Sequence, residues 1–451
     1  MTDTSHLLTS DEQRNEKPVW NKEGIMTVAG GVILMLVLGA FYLWGAIGIY
    51  ITSHLRQYEP DLVINSTAVL FPLQGIMIAF GWPLGKTVNK YLGLRLTVSV
   101  CMLIICLSWL VQSWIRSFTL FAFVYGVVIG LATGIVYFPP IFAGWKWLPL
   151  RKGSVTGFVV AGFAIGSFIF GIITTEIVNP DNIQPTIIGP DGNKYFDADV
   201  AGRVPMMLRI LAASYFILAV ISVFLLQDPD SKKKQDPDAI NISDSENSKS
   251  AMVKEEMSLT DALKTKQMYM LTFMVFGSSI IGFFMASTYK VYGQKQPALQ
   301  NDLYLSWVGS VANIWNGGSR VIWGYFLDRF SFKKVYGSLV VVEVIVACTL
   351  QFAGEFRWMY FIWVSILLCC EGGHFALFPT YTSKVYGPEN GPKVYGLVGF
   401  GLSFGNIAQF LVTRYAVKDS YVVCFYAYSG MAIASFLVML LFREKLTRPE
   451  K

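Results

Sequence analysis

Apolar residues in this chain are sorted into twelve runs, each close to the roughly 20 residues that a helix needs to cross a bilayer. The runs fall at 26–53, 66–87, 97–113, 118–144, 154–177 and 205–227, then at 266–290, 304–327, 335–354, 358–383, 390–413 and 420–443. Hydrocarbon offers no water to an exposed peptide group, so each spanning run has to close its own hydrogen bonds as a helix. Only 15% of the residues are charged, against about 25% in soluble globular chains. The expected fold is an all-α membrane protein with twelve transmembrane helices. Its organisation reads as a tail (1–25), a six-helix bundle (26–227), a linker (228–262), a second bundle (263–443) and a short tail (444–451). The linker is polar and rich in lysine and serine, a composition that cannot bury a core. Ser258 and Asp261 have capping-box spacing where order is expected to return. The other long connection, 178–204, contains a turn-rich "GPDGNKY".

The net charge of +6 is a topology signal. With the N-terminus inside, 25 of the 36 lysines and arginines fall in cytoplasmic segments and nine in the opposite loops. The positive-inside rule then places both termini in the cytoplasm. The lipid bilayer is the partner this pattern implies; nucleic acid is not. All six cysteines fall inside runs, so no external disulfide framework is expected. The first 25 residues lack an apolar core, so the first span is expected to act as its own insertion signal.

Sliding the chain against itself by 239 positions aligns Gly85 with Gly324, Asn89 with Asp328, Lys90 with Arg329 and Arg95 with Lys334. The same offset pairs Gly134 with Gly373, Pro140 with Pro379, Gly157 with Gly396 and Gly166 with Gly405. An offset that spans an even number of helices gives two halves facing the same way, a recurring carrier plan. The repeat exposes an asymmetry: Arg320 falls on Gly81.

Arg320 lies eight positions before Asp328, where the polar end of its run begins. At about 1.5 Å per residue that is roughly 12 Å inside the hydrocarbon. A guanidinium cannot shed its proton there, and intramembrane charge marks function by default. One reading is a cation that grips a carboxylate bidentately in a central cavity, with Asn316 one turn earlier orienting it. The other is a structural ion pair with a buried acid such as Glu371. Glu371 and His374 are three positions apart on one helical face and read as a proton-coupling pair, since both titrate near neutrality in low dielectric. A Glu-x-x-His metal site needs a second copy; with histidine only at 6, 54 and 374, no metal or other cofactor is expected. Tyr42, Trp44 and Tyr137 could line a cavity and cage the apolar part of a small acid; helix packing is the alternative. Glu343 and Arg209 read as structural or snorkelling.

The pattern G-x-x-L-D-R-F-x-x-K-K (Gly324 to Lys334) and its weaker copy from Gly85 to Arg95 resemble the loop signature of the major facilitator superfamily. The stretches 147–167 and 372–401, with "NGGSR" at 316–320, are similar to the oxalate:formate antiporter and monocarboxylate porter group. The resemblance covers 25–443. It implies the major facilitator fold, and a gate at the cytoplasmic end built on Asp328 and Arg329 with Asn89 and Lys90 as the weaker copy. It also implies that Arg320 binds the substrate carboxylate. Members that clamp a dianion add a lysine in the eleventh span; aligned on Tyr395-Gly396, this chain has Leu402 there, which favours a single negative charge. The expected protein is a monomeric secondary active transporter of a small organic monocarboxylate working by alternating access, with protons as the coupling ion. Alternatives are an exchanger or uniporter for another small anion or an amino acid, and a non-transporting sensor. No phosphate loop or nucleophile elbow points to an enzyme. "DTSHLL" (3–8) resembles an acidic dileucine signal, leaving the plasma membrane and the endolysosomal membrane as destinations.

Overall fold

The computed structural model describes residues 21–148, 152–228, 259–387, 390–412 and 420–444. Twelve long helices account for nearly all of them: α1 Lys22–Leu55, α2 Leu70–Leu92, α3 Leu94–Gln112, α4 Phe118–Trp147, α5 Lys152–Val178, α6 Val204–Leu225, α7 Lys266–Lys295, α8 Asp302–Arg329, α9 Phe332–Ala353, α10 Arg357–Tyr386, α11 Gly391–Val398 continued by Phe400–Leu411, and α12 Tyr421–Leu441. Eleven are long and apolar enough to cross a membrane. The exception is α8, which is long enough but buries Ser306, Ser310, Asn313, Asn316, Ser319 and Arg320. The helix least suited to lipid is one that buries a polar face against its neighbours.

α7 continues to Lys295, past the boundary at 290 expected from the apolar run, because a buried charge rather than a loop follows Thr288. Lys290, placed by the sequence in an outer loop, is fully buried inside this helix. The expected capping residue Ser258 and most of the 228–262 linker lie outside the described residues, as does the "DTSHLL" stretch. The excursion after α5 carries a small hairpin, Ile187–Ile188 against Lys194–Tyr195. Its turn uses Gly192 at φ 72°, a conformation that favours glycine. The Tyr195 hydroxyl accepts from Ile64 N at 2.9 Å and donates to Asp191 at 2.8 Å, tying the hairpin to the entry of α2.

Within the first six helices α1 packs on α5 and α6, α2 on α4, and α3 on α6; within the second six α8 and α9 pack on α10, and α7 packs on α11 and α12. The two sets are joined chiefly by α5 with α8, α2 with α11 and α1 with α7, and more lightly by α1 with α8. Membrane helices approach closely where small residues let backbones meet. At the α1–α5 crossing Gly166 faces the Leu36 carbonyl, and Ser167 Oγ donates to Gly39 O at 2.6 Å. A methyl at Gly166 would strike that backbone, whereas one at Gly396 would meet nothing within 4 Å. Gly166→Ala is therefore expected to cost about 1–3 kcal/mol through overpacking, read as a lowered thermal transition. Gly396→Ala, on the equivalent helix of the other half, should stay within about 0.5 kcal/mol of the parent.

Candidate functional site

A cavity lies where the two sets of helices meet, the kind of inter-helix place where small-ligand sites form. Its walls come from both sides: Phe41 and Tyr42 of α1, Ile78 and Trp82 of α2, Tyr137 of α4 and Phe163 of α5 face Phe283 of α7, Arg320 of α8, Phe375 of α10 and Leu402, Ser403 and Asn406 of α11. α1 tightens to a 3-10 turn over Gly39–Leu43, which aims the adjacent Phe41 and Tyr42 rings inward. The lining is mostly aromatic, with one permanent charge.

That charge is Arg320, 7% exposed. Its Nη2 donates to Asn316 Oδ1 at 2.9 Å, and its guanidinium carbon lies 4.8 Å from the centre of the Phe375 ring. Nε and Nη1 are buried without a hydrogen-bond partner. Among the described residues no carboxylate forms an ion pair with it, so the structural pairing with Glu371 weighed from the sequence is not formed. Tyr42 and Tyr137 line the same cavity as the guanidinium, and the Tyr42 hydroxyl has no hydrogen-bond partner among the described residues. Asn316 sits behind the arginine, fully buried, with Nδ2 unbonded. The arrangement leaves two guanidinium nitrogens, Nε and Nη1, with unused N–H groups in an apolar, aromatic surround. Such donors are strong in low dielectric and cost most when left unmade.

The structure brings Arg320, Tyr42 and Tyr137 onto the walls of one cavity. Trp44 is a correction: its ring packs 5.4 Å from Tyr125 and beside Gly48, inside the first bundle and away from the cavity walls. The 3-10 turn ends at Leu43, and the change of pitch turns Trp44 to another face. Trp82, Phe163, Phe283, Ser403 and Asn406 were not anticipated; buried Asn406 was the one readable signal, a polar residue in an apolar run. The position matching Arg320 in the first half, Gly81, is closed by the backbone of Gly134, 2.7 Å from where a side chain would begin. That half has no room for a counterpart.

Glu371 and His374 are both fully buried on α10, with Nδ1 and Oε2 3.8 Å apart. Ser278 Oγ lies 2.6 Å from His374 Nε2 and 2.8 Å from Met274 O. With the serine proton on Met274 O, Nε2 carries the ring proton and Nδ1 is left as an acceptor on the Glu371 side; with it on Nε2, the roles reverse. Glu343, read as structural or snorkelling, does not snorkel: it is fully buried, and neither oxygen has a partner.

The gate expected at the end nearer the termini is only partly described. The side chain of Asp328 lies outside the described residues. Arg329 is exposed over the Tyr325 ring at 4.5 Å, Lys90 is exposed, and Asn89 is half-buried. At that end α2 meets α11 through stacked Trp82 and Tyr395, 6.2 Å apart. The opposite end holds a network that sequence reasoning missed. Lys290 of α7 pairs with Asp302 of α8 at 2.9 Å, both without exposure. Asp302 also accepts from Tyr50 of α1 and, at 2.9 Å, from Asn179 just past the end of α5. Lys290 donates to Tyr50 and Ser306 at 3.0 Å, and Ser306 meets Thr175 of α5 at 2.8 Å. Four helices, two from each side of the interface, are bonded through one ion pair.

Comparison with known proteins follows the same lines. The family model described as Major Facilitator Superfamily matches residues 268–451. The chain is 24% identical to an apicoplast pyruvate carrier of Toxoplasma gondii, over 83% of this chain and 80% of the relative. It is 19% identical to the oxalate:formate antiporter of Oxalobacter formigenes, over 93% and 91%. Among solved structures, the xylose transporter XylE of E. coli in a partially occluded inward-open state superposes with a TM-score of 0.65 at 12% identity, over 93% of this chain and 99% of that one. The nucleoside transporter NupG gives 0.61 at 14%, over 92% and 98%.

Proposed function

We infer that this chain, a transporter of the major facilitator superfamily and not an enzyme, carries a small organic monocarboxylate by alternating access, coupled to protons. The observation that carries the reading is Arg320, a buried cation with two unused donors facing an aromatic cavity between the halves. A carboxylate matches the planar fork of a guanidinium and neutralises it. The rings of Phe41, Phe163, Phe283 and Phe375 suit a short apolar remainder, and the Tyr42 and Tyr137 hydroxyls suit a second oxygen. Leu402, where dianion carriers place a lysine, lines the cavity, so a second negative charge would enter unpaired. Two relatives handle small carboxylates by name, a pyruvate carrier and an oxalate:formate antiporter, which supports the class. Glu371 and His374 serve as the proton pair. Both termini face the cytoplasm of a plasma or endolysosomal membrane, and the chain works as a monomer.

The test is uptake by purified protein in liposomes of labelled pyruvate, formate and oxalate. The two monoacids are expected to enter and oxalate to be excluded; uptake of an amino acid with no acid flux would overturn the reading. Leu402→Lys should then raise oxalate uptake about tenfold, since a hydrogen bond to a charged group contributes about 1.5–3 kcal/mol.

A further inference from the structure

Two outward-facing stripes run along one edge of the first bundle. On α3 the exposed positions recur every three or four residues through Leu103, Leu107, Val111 and Trp114, just past the helix end. On α6 they recur through Met206, Arg209, Ala213, Phe216 and Val220. That spacing is one face of a helix. The two helices pack on each other, and a broad exposed apolar face of this kind is what a spanning bundle turns to lipid. Arg209 is the one charge among these positions. It lies five residues after Val204, which is roughly 7.5 Å in from the start of α6 at about 1.5 Å per residue, at the end opposite the termini.

The arginine is held sideways, against the neighbouring helix. Its Nε donates to Ser113 Oγ at 3.1 Å, and its guanidinium carbon lies 5.0 Å from the centre of the Trp114 ring. Ser113 is buried, while Trp114 is 60% exposed. These two contacts fix the guanidinium and use only one of its three nitrogens. Among the described residues Nη1 and Nη2 make no hydrogen bond, and no carboxylate pairs with Arg209. Arg203, one and a half turns earlier, is already paired with Asp181 at 3.7 Å. A snorkelling arginine keeps a loose head in water; Arg209 is tied down, with its fork unused at the border of an apolar face. A charge left there without a partner is costly. An exposed tryptophan marks the headgroup level of a bilayer. At that level the abundant group with a matching pair of oxygens is a phosphodiester.

We propose that Arg209, steadied by Ser113 and Trp114, binds the phosphate of a phospholipid in the leaflet opposite the termini. The two Nη groups take two phosphate oxygens side by side, and the acyl chains lie down the stripes of α3 and α6. The bound lipid bridges the ends of these two helices, adding to the Arg209–Ser113 bond. Recognition needs both parts of the lipid: a diacylglycerol lacks the charge, and a free phosphate ion lacks the chains. The site stands apart from the central cavity and does not depend on Arg320.

The experiment uses full-length protein in detergent micelles with a phosphatidylcholine that carries a diazirine on its acyl chain close to the glycerol. After illumination, the labelled residues are mapped by mass spectrometry. Label is expected on α3 between Leu103 and Trp114 and on α6 between Met206 and Phe216, in excess of that on the outward faces of α9 and α12. Arg209→Gln should lower the α3 and α6 label about tenfold, the cost of losing a hydrogen bond to a charged group, and leave α9 and α12 unchanged. Arg209→Lys, which keeps the charge without the fork, should fall between. On the parent, unlabelled phosphatidylcholine should displace the label, whereas dioleoylglycerol and inorganic phosphate should not. Equal labelling of the parent and Arg209→Gln would overturn the proposal. So would displacement by dioleoylglycerol, which would mean that the chains alone bind, or by inorganic phosphate, which would mean a site for free anions. The competition is read on the parent, so it decides the matter even where a variant fails to fold.

Discussion

Replacing Arg320 with glutamine is expected to abolish monocarboxylate uptake while leaving the protein at least as stable as the parent. The two halves of that expectation come from the same geometry. Removing one partner of a buried, hydrogen-bonded charge pair costs about 2–5 kcal/mol of binding, or roughly thirtyfold to several thousandfold at about 1.4 kcal/mol per tenfold. Glutamine keeps a donor and much of the volume but has neither the charge nor the fork. Lysine keeps the charge alone, so Arg320→Lys should retain weak flux with a raised KM. Stability separates this role from a structural one. In the empty protein Arg320 has one hydrogen bond and no counter-ion, so its removal relieves a buried charge. The thermal transition of substrate-free Arg320→Gln should stay level or rise, and its upward shift with substrate should vanish. A cation needed for folding would give the opposite: a lower transition and retained ligand response. Uptake that survives in Arg320→Gln would remove the proposed cargo.

Asp302→Asn is the second change with a large expected effect, on conformation rather than on binding. Asp302 stays with Lys290 within the second bundle, while Tyr50 and Asn179 reach it from the first. Neutralising it leaves the Lys290 ammonium buried and uncompensated, at about 3–5 kcal/mol. Parting the helices at the end opposite the termini lets water reach the amine, so the population should move that way by about a hundredfold or more. A cysteine at Ala286, where α7 meets Gly45 of α1, reports the opening in a background free of the six native cysteines. A membrane-impermeant maleimide added from that side should label Asp302→Asn far faster than the parent. The double variant Lys290→Met with Asp302→Leu restores an apolar contact and should return labelling to the slow rate. Equal labelling of parent and single variant would mean that the ion pair does not hold this end closed.

The helix number, the paired halves and the arginine were legible because each follows from local physics. Runs near the span length have to be helices, a fixed offset in glycines and charges has to be a repeat, and a guanidinium in an apolar run has to be explained. Tyr42 and Trp44 are two residues apart, so a helix carries them on opposite faces, and periodicity alone does not say which of the two faces meets the cavity. A 3-10 turn between Gly39 and Leu43 turns one to the cavity and the other to Tyr125. Lys290 and Asp302 were out of reach for a different reason. Each lies near the end of an apolar run, where a charge is usually solvated, and only the approach of α1 and α5 makes that place an interior. Of the two readings of Glu343, structural or snorkelling, burial removes the second, since the side chain turns inward.

The grip on the cargo is unevenly shared. Arg320, its support Asn316, Ser403 and Asn406 all belong to the second six helices, while Gly81 and Gly134 press together where the first six would need a matching cation. The walls that the first six contribute are chiefly ring faces and hydrocarbon. A passenger held this way would ride with one half as the other slides past it. Changes to the first-half wall would therefore tell mainly on how fast the carrier turns over, and changes to the second on how tightly it holds.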